Sequence, residues 1–416
     1  LKTNRLYRRF FWILLLVGTT AQAQTIEVCS SCDVKSIQSA INQAAPHTTI
    51  LVKGGEYHEG NIVINKPLKL IGENYPIVDG DNDNEIITIT ADSVLIEGFQ
   101  IQNVGTSYIK DQAGINVVKK DYVTIRNNRL INTFFGIYLQ KSQYTKVINN
   151  EVFGDAKEEM SSGNAIHLWH CQNIEIRDNH VKNHRDGIYL EFVDDSQIEN
   201  NLSEGQLRYG LHFMFSNNDN YINNTFRDNG AGVAVMFSRG IKMQQNNFQR
   251  NWGASAYGLL LKEIYDGEIT NNKFIENTIG IYGESATRMN INNNEFIRNG
   301  WAVKILGSCM DNIITENNFI GNTFDVATNS SRNYNIYDGN YWSEYSGYDL
   351  DKDGVGDVPH RPVKLFSYVV TRVDASIILL RSMFIDIINF AEKVTPMFTP
   401  TTLLDNTPSM KPILTP

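Results

Sequence analysis

The chain has 416 residues, 42% of them hydrophobic and 20% charged, which is enough apolar surface for a large core. Its formal net charge is -9 and its sequence pI is about 5.5, which argues against a nucleic-acid partner, because phosphates reward basic surfaces. Length alone suggests two or three domains, unless the chain is a repeat array that grows in one dimension.

The first residues have the form of an export signal. Lys2, Arg5, Arg8 and Arg9 are basic, residues 10–17 are an unbroken apolar run, and Ala21-Gln22-Ala23 offers a small-residue cleavage site. The run is too short to span a bilayer. The expectation is a signal peptide over residues 1–23 and a mature protein outside the cytoplasm. Cys29 and Cys32 then form a CxxC in an oxidising compartment, where a local disulfide is the plainest reading. The alternatives are a metal-collecting thiol pair and redox chemistry, the latter without the βαβ setting it usually has. Cys171 and Cys309 are solitary and read as small buried hydrophobes.

Residues 36–45 carry helical spacing in Ile37, Ala40, Ile41 and Ala44, and predict a helix that caps the open end of a strand array. Residues 49–52 and 68–71 read as the first strands of that array. From about residue 120 to 320 one unit then recurs: apolar-x-x-Asn-x-apolar. Ile125, Asn128 and Leu130 fit it, as do Val147, Asn150 and Val152. The asparagines return every 22 or 23 residues, apart from two longer steps that predict loops near 154–162 and 251–256. Between them runs a second signature of Gly, apolar, x, apolar, as in Gly187-Ile188-Tyr189-Leu190 and Gly210-Leu211-His212-Phe213.

These short segments alternate with period two and are rich in Ile, Val, Tyr and Phe, which marks strands. Gly and Asn at fixed offsets are expected to supply left-handed turn conformations. Three strands and three turns fit one period. The prediction is an all-β fold: a right-handed, single-stranded parallel β-helix of about 22-residue coils over residues 24–340, with an N-terminal capping helix. Equivalent asparagines should stack as an amide ladder.

Residues 341–375 form an aromatic and acidic region. Asp349, Asp351 and Asp353, followed by Gly354 and Asp357, match the first half of a calcium loop. His360 stands where such a loop has its bidentate Glu, so the site is incomplete, and a solvated acidic turn is the alternative. Residues 376–416 predict a short amphipathic helix, centred on 377–390, and a proline-containing tail. The helix either packs on the solenoid end or lies against a membrane protein.

Strand neighbours point to opposite faces. With the apolar residues inside, one outward row contains His167, Tyr189 and His212, and the next contains Trp169, Glu191, Met214 and Met236. Thioether and imidazole suit soft Cu(I). The candidate copper ligands are therefore His212, Met214 and Met236, with His167 and Glu191 further along the same surface. A one-residue slip would instead turn both methionines into the core. The rival function is a carbohydrate-binding or polysaccharide-modifying protein, with Glu191, Asp194, Asp195, Lys262 and Glu263 as parts. No acidic pair repeats along one outward row to support it.

The segments Ile166-His167-Leu168-Trp169-His170-Cys171, Arg185-Asp186-Gly187-Ile188-Tyr189-Leu190-Glu191 and Arg208-Tyr209-Gly210-Leu211-His212-Phe213-Met214-Phe215-Ser216 resemble the NosD family. So do residues 229–238 and 257–263, and the tail motifs Gly347-Tyr348-Asp349-Leu350-Asp351 and Arg361-Pro362. The likeness runs over nearly the whole mature chain. It implies a non-catalytic periplasmic accessory protein that helps supply copper to nitrous oxide reductase. Its implied partners are an ABC-type ATPase and membrane permease, a lipoprotein copper chaperone and the reductase. The family's repeat is also classed with carbohydrate-binding modules, a label that follows the fold.

Overall fold

The computed structural model describes residues 25–107, 110–253, 256–380, 382–394 and 403–414. The expected signal peptide lies outside them. The chain winds as a parallel β-solenoid. A typical coil passes from Thr124–Arg126 through Arg129–Ile131 to Phe135–Gln140, and equivalent strands stack into three parallel sheets. Sheet I runs from Thr25–Val28 to Ile336–Asp338, sheet II from Glu56–Tyr57 to Tyr341–Trp342, and sheet III from Ile62–Ile64 to Phe324–Ala327.

The first helix, α1 (Ile37–Gln43), covers the N-terminal end. It buries Ile37, Ala40 and Ile41. Ser36 caps its start, and the Glu59 carboxylate accepts from the Ile37 and Gln38 N–H groups at 2.8 and 3.1 Å. Those donors have no partner within the helix, so the carboxylate replaces water there.

The interior is organised by ladders. The side-chain oxygen of Asn224 accepts from Asn201 N and Nδ2, while its own Nδ2 donates to Asn246 Oδ1 at 3.0 Å and to Ile198 O at 2.8 Å. The same exchange repeats from Asn128 to Asn340. It ends on Asp405, whose carboxylate accepts from Asn340 and from Trp342 Nε1. The tail thus returns to close the ladder. A second ladder, not foreseen, links Gln206, Asn229, Asn251, Asn277, Asn299 and Asn322 at the corner between sheets II and III. Inside sheet II, Phe248 stacks on Phe274 at 4.6 Å, and the column continues through Phe296 and Phe319 to Trp342.

Two expectations are corrected. The left-handed residue of the Asn corner is the one before the ladder asparagine, such as Asn127 or Asn223, and not the ladder residue itself. The strand glycines are required for space rather than for a left-handed φ. A Cβ on Gly210 would lie 2.7 Å from Gly232 O and one on Gly187 2.2 Å from Ser203 Oγ.

Beyond the solenoid, the segment expected as one helix is divided. A 3-10 turn covers Asp374–Leu379 and α3 covers Met383–Val394, while α2 (Leu365–Arg372) precedes both. The break lets α3 fold back, so that Ile385 packs with Phe366 and Val370 against Phe324 of sheet III. Met383, Phe384, Ile387, Phe390 and Val394 of α3 remain exposed. Among the described residues, no helix is long and apolar enough to cross a membrane.

Candidate metal centre

Sheet III has the longest strands, and its alternation decides what faces outward. In Tyr209–Met214, Leu211 and Phe213 belong to the core, while His212 and Met214 do not. The register pairs His167 with Tyr189, Tyr189 with His212, and His212 with Ala234. It pairs Trp169 with Glu191, Glu191 with Met214, and Met214 with Met236. The two outward rows are therefore those read from the sequence, and the methionines do not turn inward. Paired positions on neighbouring strands lie about 4.8 Å apart. His212, Met214, Met236 and Glu191 are thus brought to adjacent places. His167 is not, because the Tyr189 ring stands between it and His212, with centroids 4.8 Å from each.

The outward row is not an exposed one. His212 is only 5% exposed and His167 8%. Tyr138, Phe135 and Tyr189 crowd His167, and Tyr189 and Tyr209 crowd His212 at 4.8 Å each. Burial holds the His167 imidazole down at about 3, so it stays neutral. Asn164 Nδ2 lies 3.3 Å from its Nδ1. His212 is more isolated still: both of its ring nitrogens are buried and neither has a hydrogen-bond partner. Beside it, the Tyr189 hydroxyl donates to Met214 Sδ at 3.5 Å. Met214 and Met236 are half-buried.

The sequence reading missed Asp186. Its carboxylate is fully buried and accepts from Arg208 Nε at 2.9 Å, from Arg208 Nη2, and from the Tyr209 N–H at 3.2 Å. Its Oδ2 lies 3.7 Å from His212 Nδ1. Burial pushes the carboxyl up, but Arg208 first, and then the neighbouring His212, outweigh it and hold it at about 2. Strict alternation places Asp186 and Tyr209 inward. The alternation slips at Gly187 and Gly210, and the Tyr209 ring lies with His212 rather than with Leu211. The one available signal was the pair Arg185-Asp186 before a strand glycine.

A further feature borders the methionine row. His170, Phe192, Phe215 and Phe237 stack on successive coils with centroids 4.6, 5.1 and 5.0 Å apart. All four have φ between 52° and 54°, and Phe192 and Phe215 are 39% and 38% exposed.

Elsewhere, a disulfide joins Cys29 and Cys32, with Cα atoms 5.0 Å apart. Asp349, Asp351 and Asp353 bring carboxylate oxygens within 4.8 Å of one another. Asp357 is turned to the Leu350 N–H at 2.7 Å instead, and Asp349 accepts from the Lys352 and Gly354 N–H groups. His360 sets its ring at a tilt against Trp342, with centroids 5.0 Å apart. A second cluster, His58 with Asp79 and Asp81, was not foreseen.

The profile of a family described as periplasmic copper-binding protein (NosD) matches residues 41–202 and 148–347, which include every residue of the outward cluster. The chain belongs to the NosD family. A relative from Stutzerimonas stutzeri, named as a probable ABC transporter binding protein NosD, is 28% identical over 94% of this chain and 96% of its own. One of the same name from Pseudomonas aeruginosa is 30% identical over 85% of this chain and 86% of its own. Among solved structures, the Dettilon tailspike protein is similar with a TM-score of 0.58 and 14% identity over 72% of this chain and 66% of that one. The catalytic unit of an α-1,3-glucanase from Streptomyces thermodiastaticus gives 0.53 and 14% over 74% and 62%. At that identity the likeness is one of fold. The NosD match, in contrast, is one of sequence over the length of the solenoid.

Proposed function

We propose that this NosD-family chain carries Cu(I) as cargo on the outward face of sheet III, with His212, Met214 and Met236 as its ligands. The observation that carries the reading is the buried His212 imidazole, whose nitrogens make no hydrogen bond to the protein, beside two thioethers in adjacent register. A buried nitrogen without a partner costs about 1–3 kcal/mol, so it is retained where something else satisfies it. Two sulfurs and one imidazole suit Cu(I), whereas calcium and magnesium prefer oxygen. The half-buried methionines give the ion a way out, and the aromatic walls keep water from it. Glu191 borders the exit, and His167 lies one ring further in.

In this reading the protein is non-catalytic. It works in the periplasm with an ABC-type ATPase and permease, takes copper from a lipoprotein chaperone, and passes it toward nitrous oxide reductase. The support for these partners is the family and the names of the relatives. The exposed apolar face of α3 is the surface that meets the permease. Phe384→Ser with Phe390→Ser should abolish co-purification with the permease, and retained co-purification would count against that role. The calcium site at Asp349, Asp351 and Asp353 would hold the aromatic region in place, and it predicts a higher melting temperature in calcium than in chelator.

The decisive experiment is an anaerobic Cu(I) titration of the mature chain against a competing chelator. One tightly bound ion is expected, lost when His212→Ala, Met214→Leu and Met236→Leu are combined. Unchanged affinity in that folded variant would remove the site.

A further inference from the structure

Asp186 and Arg208 lie outside the proposed ligand set, yet they form an unusual pair. Among the ion pairs of the described residues, only Asp186 contributes a carboxylate whose side chain is wholly buried. A buried ion pair is weak evidence for stability, since its desolvation offsets its attraction. A purely structural role therefore accounts poorly for it.

The geometry suggests another role. Arg208 grips both carboxylate oxygens in a fork, which fixes the orientation of the carboxylate. The Oδ2 atom then faces His212 Nδ1 at 3.7 Å, slightly beyond a hydrogen bond. Tyr189 and Tyr209 flank the imidazole, so its freedom is a small rocking motion between two rings. A shift of well under 1 Å would close the Nδ1–H bond to Asp186. That bond would place the proton on Nδ1 and leave the Nε2 lone pair for a metal. Carboxylates perform this service for metal-bound histidines generally, where they set the tautomer and raise the basicity of the ligand nitrogen.

We propose that Asp186, locked by Arg208, is the positioning residue of the copper site: it accepts the Nδ1 proton of His212 and presents Nε2 to Cu(I). The proposal rests on His212 being a ligand, and it adds the coordinating nitrogen and the acceptor behind it. Arg208 is half-exposed and acts through Asp186, as the clamp that keeps the carboxylate aimed.

Two measurements test it. The first needs no copper: nitrogen-15 spectra of histidine-labelled mature chain, with the His212 signal assigned by its loss in His212→Gln. The expected result is an Nδ1–H tautomer in the native chain and a shift toward Nε2–H in Asp186→Asn. An Nε2–H tautomer in the native chain would overturn the proposal. The second is the Cu(I) competition titration. Asp186→Asn should keep one ion per chain and lose about 10–100-fold in affinity. Arg208→Lys, which keeps the charge without the fork, should lose less. Equal affinity in a folded Asp186→Asn chain would reduce the pair to a structural one. If Asp186→Asn does not fold, the native tautomer and Arg208→Lys still decide the matter. If the native chain binds no Cu(I), the copper reading fails, while the tautomer still reports on Asp186.

Discussion

The inside of the solenoid and the outward face of sheet III follow opposite rules. Inside, nearly every coil repeats its neighbour: Asn on Asn at one corner, Phe on Phe in sheet II. Outside, successive coils of one row read His167, Tyr189, His212 and Ala234. Repetition is what lets the array propagate, because each coil has only its neighbours to bond to. A row that abandons repetition while burying two imidazoles, with a buried carboxylate beside it, is not explained by propagation. The difference separates scaffold from site.

The largest effect should come from breaking the inner rule. Removing the Asn224 side chain strands the Asn201 donors and the Ile198 carbonyl in a dry interior. Asn224→Ala should lose about 3–5 kcal/mol, seen in denaturant midpoints and in hydrogen exchange of the two adjoining coils.

Where the second ladder ends, the rule has a measurable pH signature. Asn322 Nδ2 donates to Asp325 Oδ1 at 3.2 Å, and burial pushes the Asp325 carboxyl up to about 6 from an ordinary 3.8. Below pH 3.8 both folded and unfolded states hold the proton, and nothing is lost. Between 3.8 and about 6 only the folded state keeps it, so stability falls as pH rises, and the full deficit persists above that. Two pH units correspond to about 3 kcal/mol. Asp325→Asn should therefore stabilise the chain by up to about 3 kcal/mol at pH 7.5 and by almost nothing near pH 3.5, measured by denaturation at both values.

A methionine on each side of the wall sharpens the contrast. Met243 is fully buried in the core and Met236 is half-buried outside. Leucine conserves volume, so each change should alter stability by less than about 1.5 kcal/mol. Only Met236→Leu should weaken Cu(I) in the competition titration. Equal effects of the two would place the copper elsewhere.

Much of the scaffold was legible because it repeats. One Asn every 22 or 23 residues fixes the coil, and period-two alternation fixes the register of His212, Met214 and Met236. What was illegible depends on departures from these periods. Asp186 has the parity of a core residue and lies outside it because the alternation slips at Gly187. The second ladder begins with Gln206, so no single residue type marks it. Asp405 closes the first ladder across a separation of 65 residues, which no local pattern can show. Nothing in the sequence marks Phe192 and Phe215 as exposed, because exposure is not written in residue type.

Those phenylalanines set the last comparison, between a ladder inside the wall and one outside. Phe248 is fully buried between Phe226 and Phe274, and Phe248→Ala should lose about 3–5 kcal/mol. Phe215 also stacks on both sides, against Phe192 and Phe237, which is worth about 0.5–1.5 kcal/mol per pair. It holds φ at 53°, however, a conformation that disfavours a side chain other than Gly, Asn or Asp by about 1–2 kcal/mol. The two terms nearly offset. Phe215→Asn should then change stability by no more than about 1.5 kcal/mol, at most half the loss at Phe248. A loss as large as that of Phe248→Ala would make the outer ladder structural. A small one would mean that exposed rings persist in strained turns beside the methionine row without being needed for the fold, which leaves the surface itself, and whatever meets it there, as their reason.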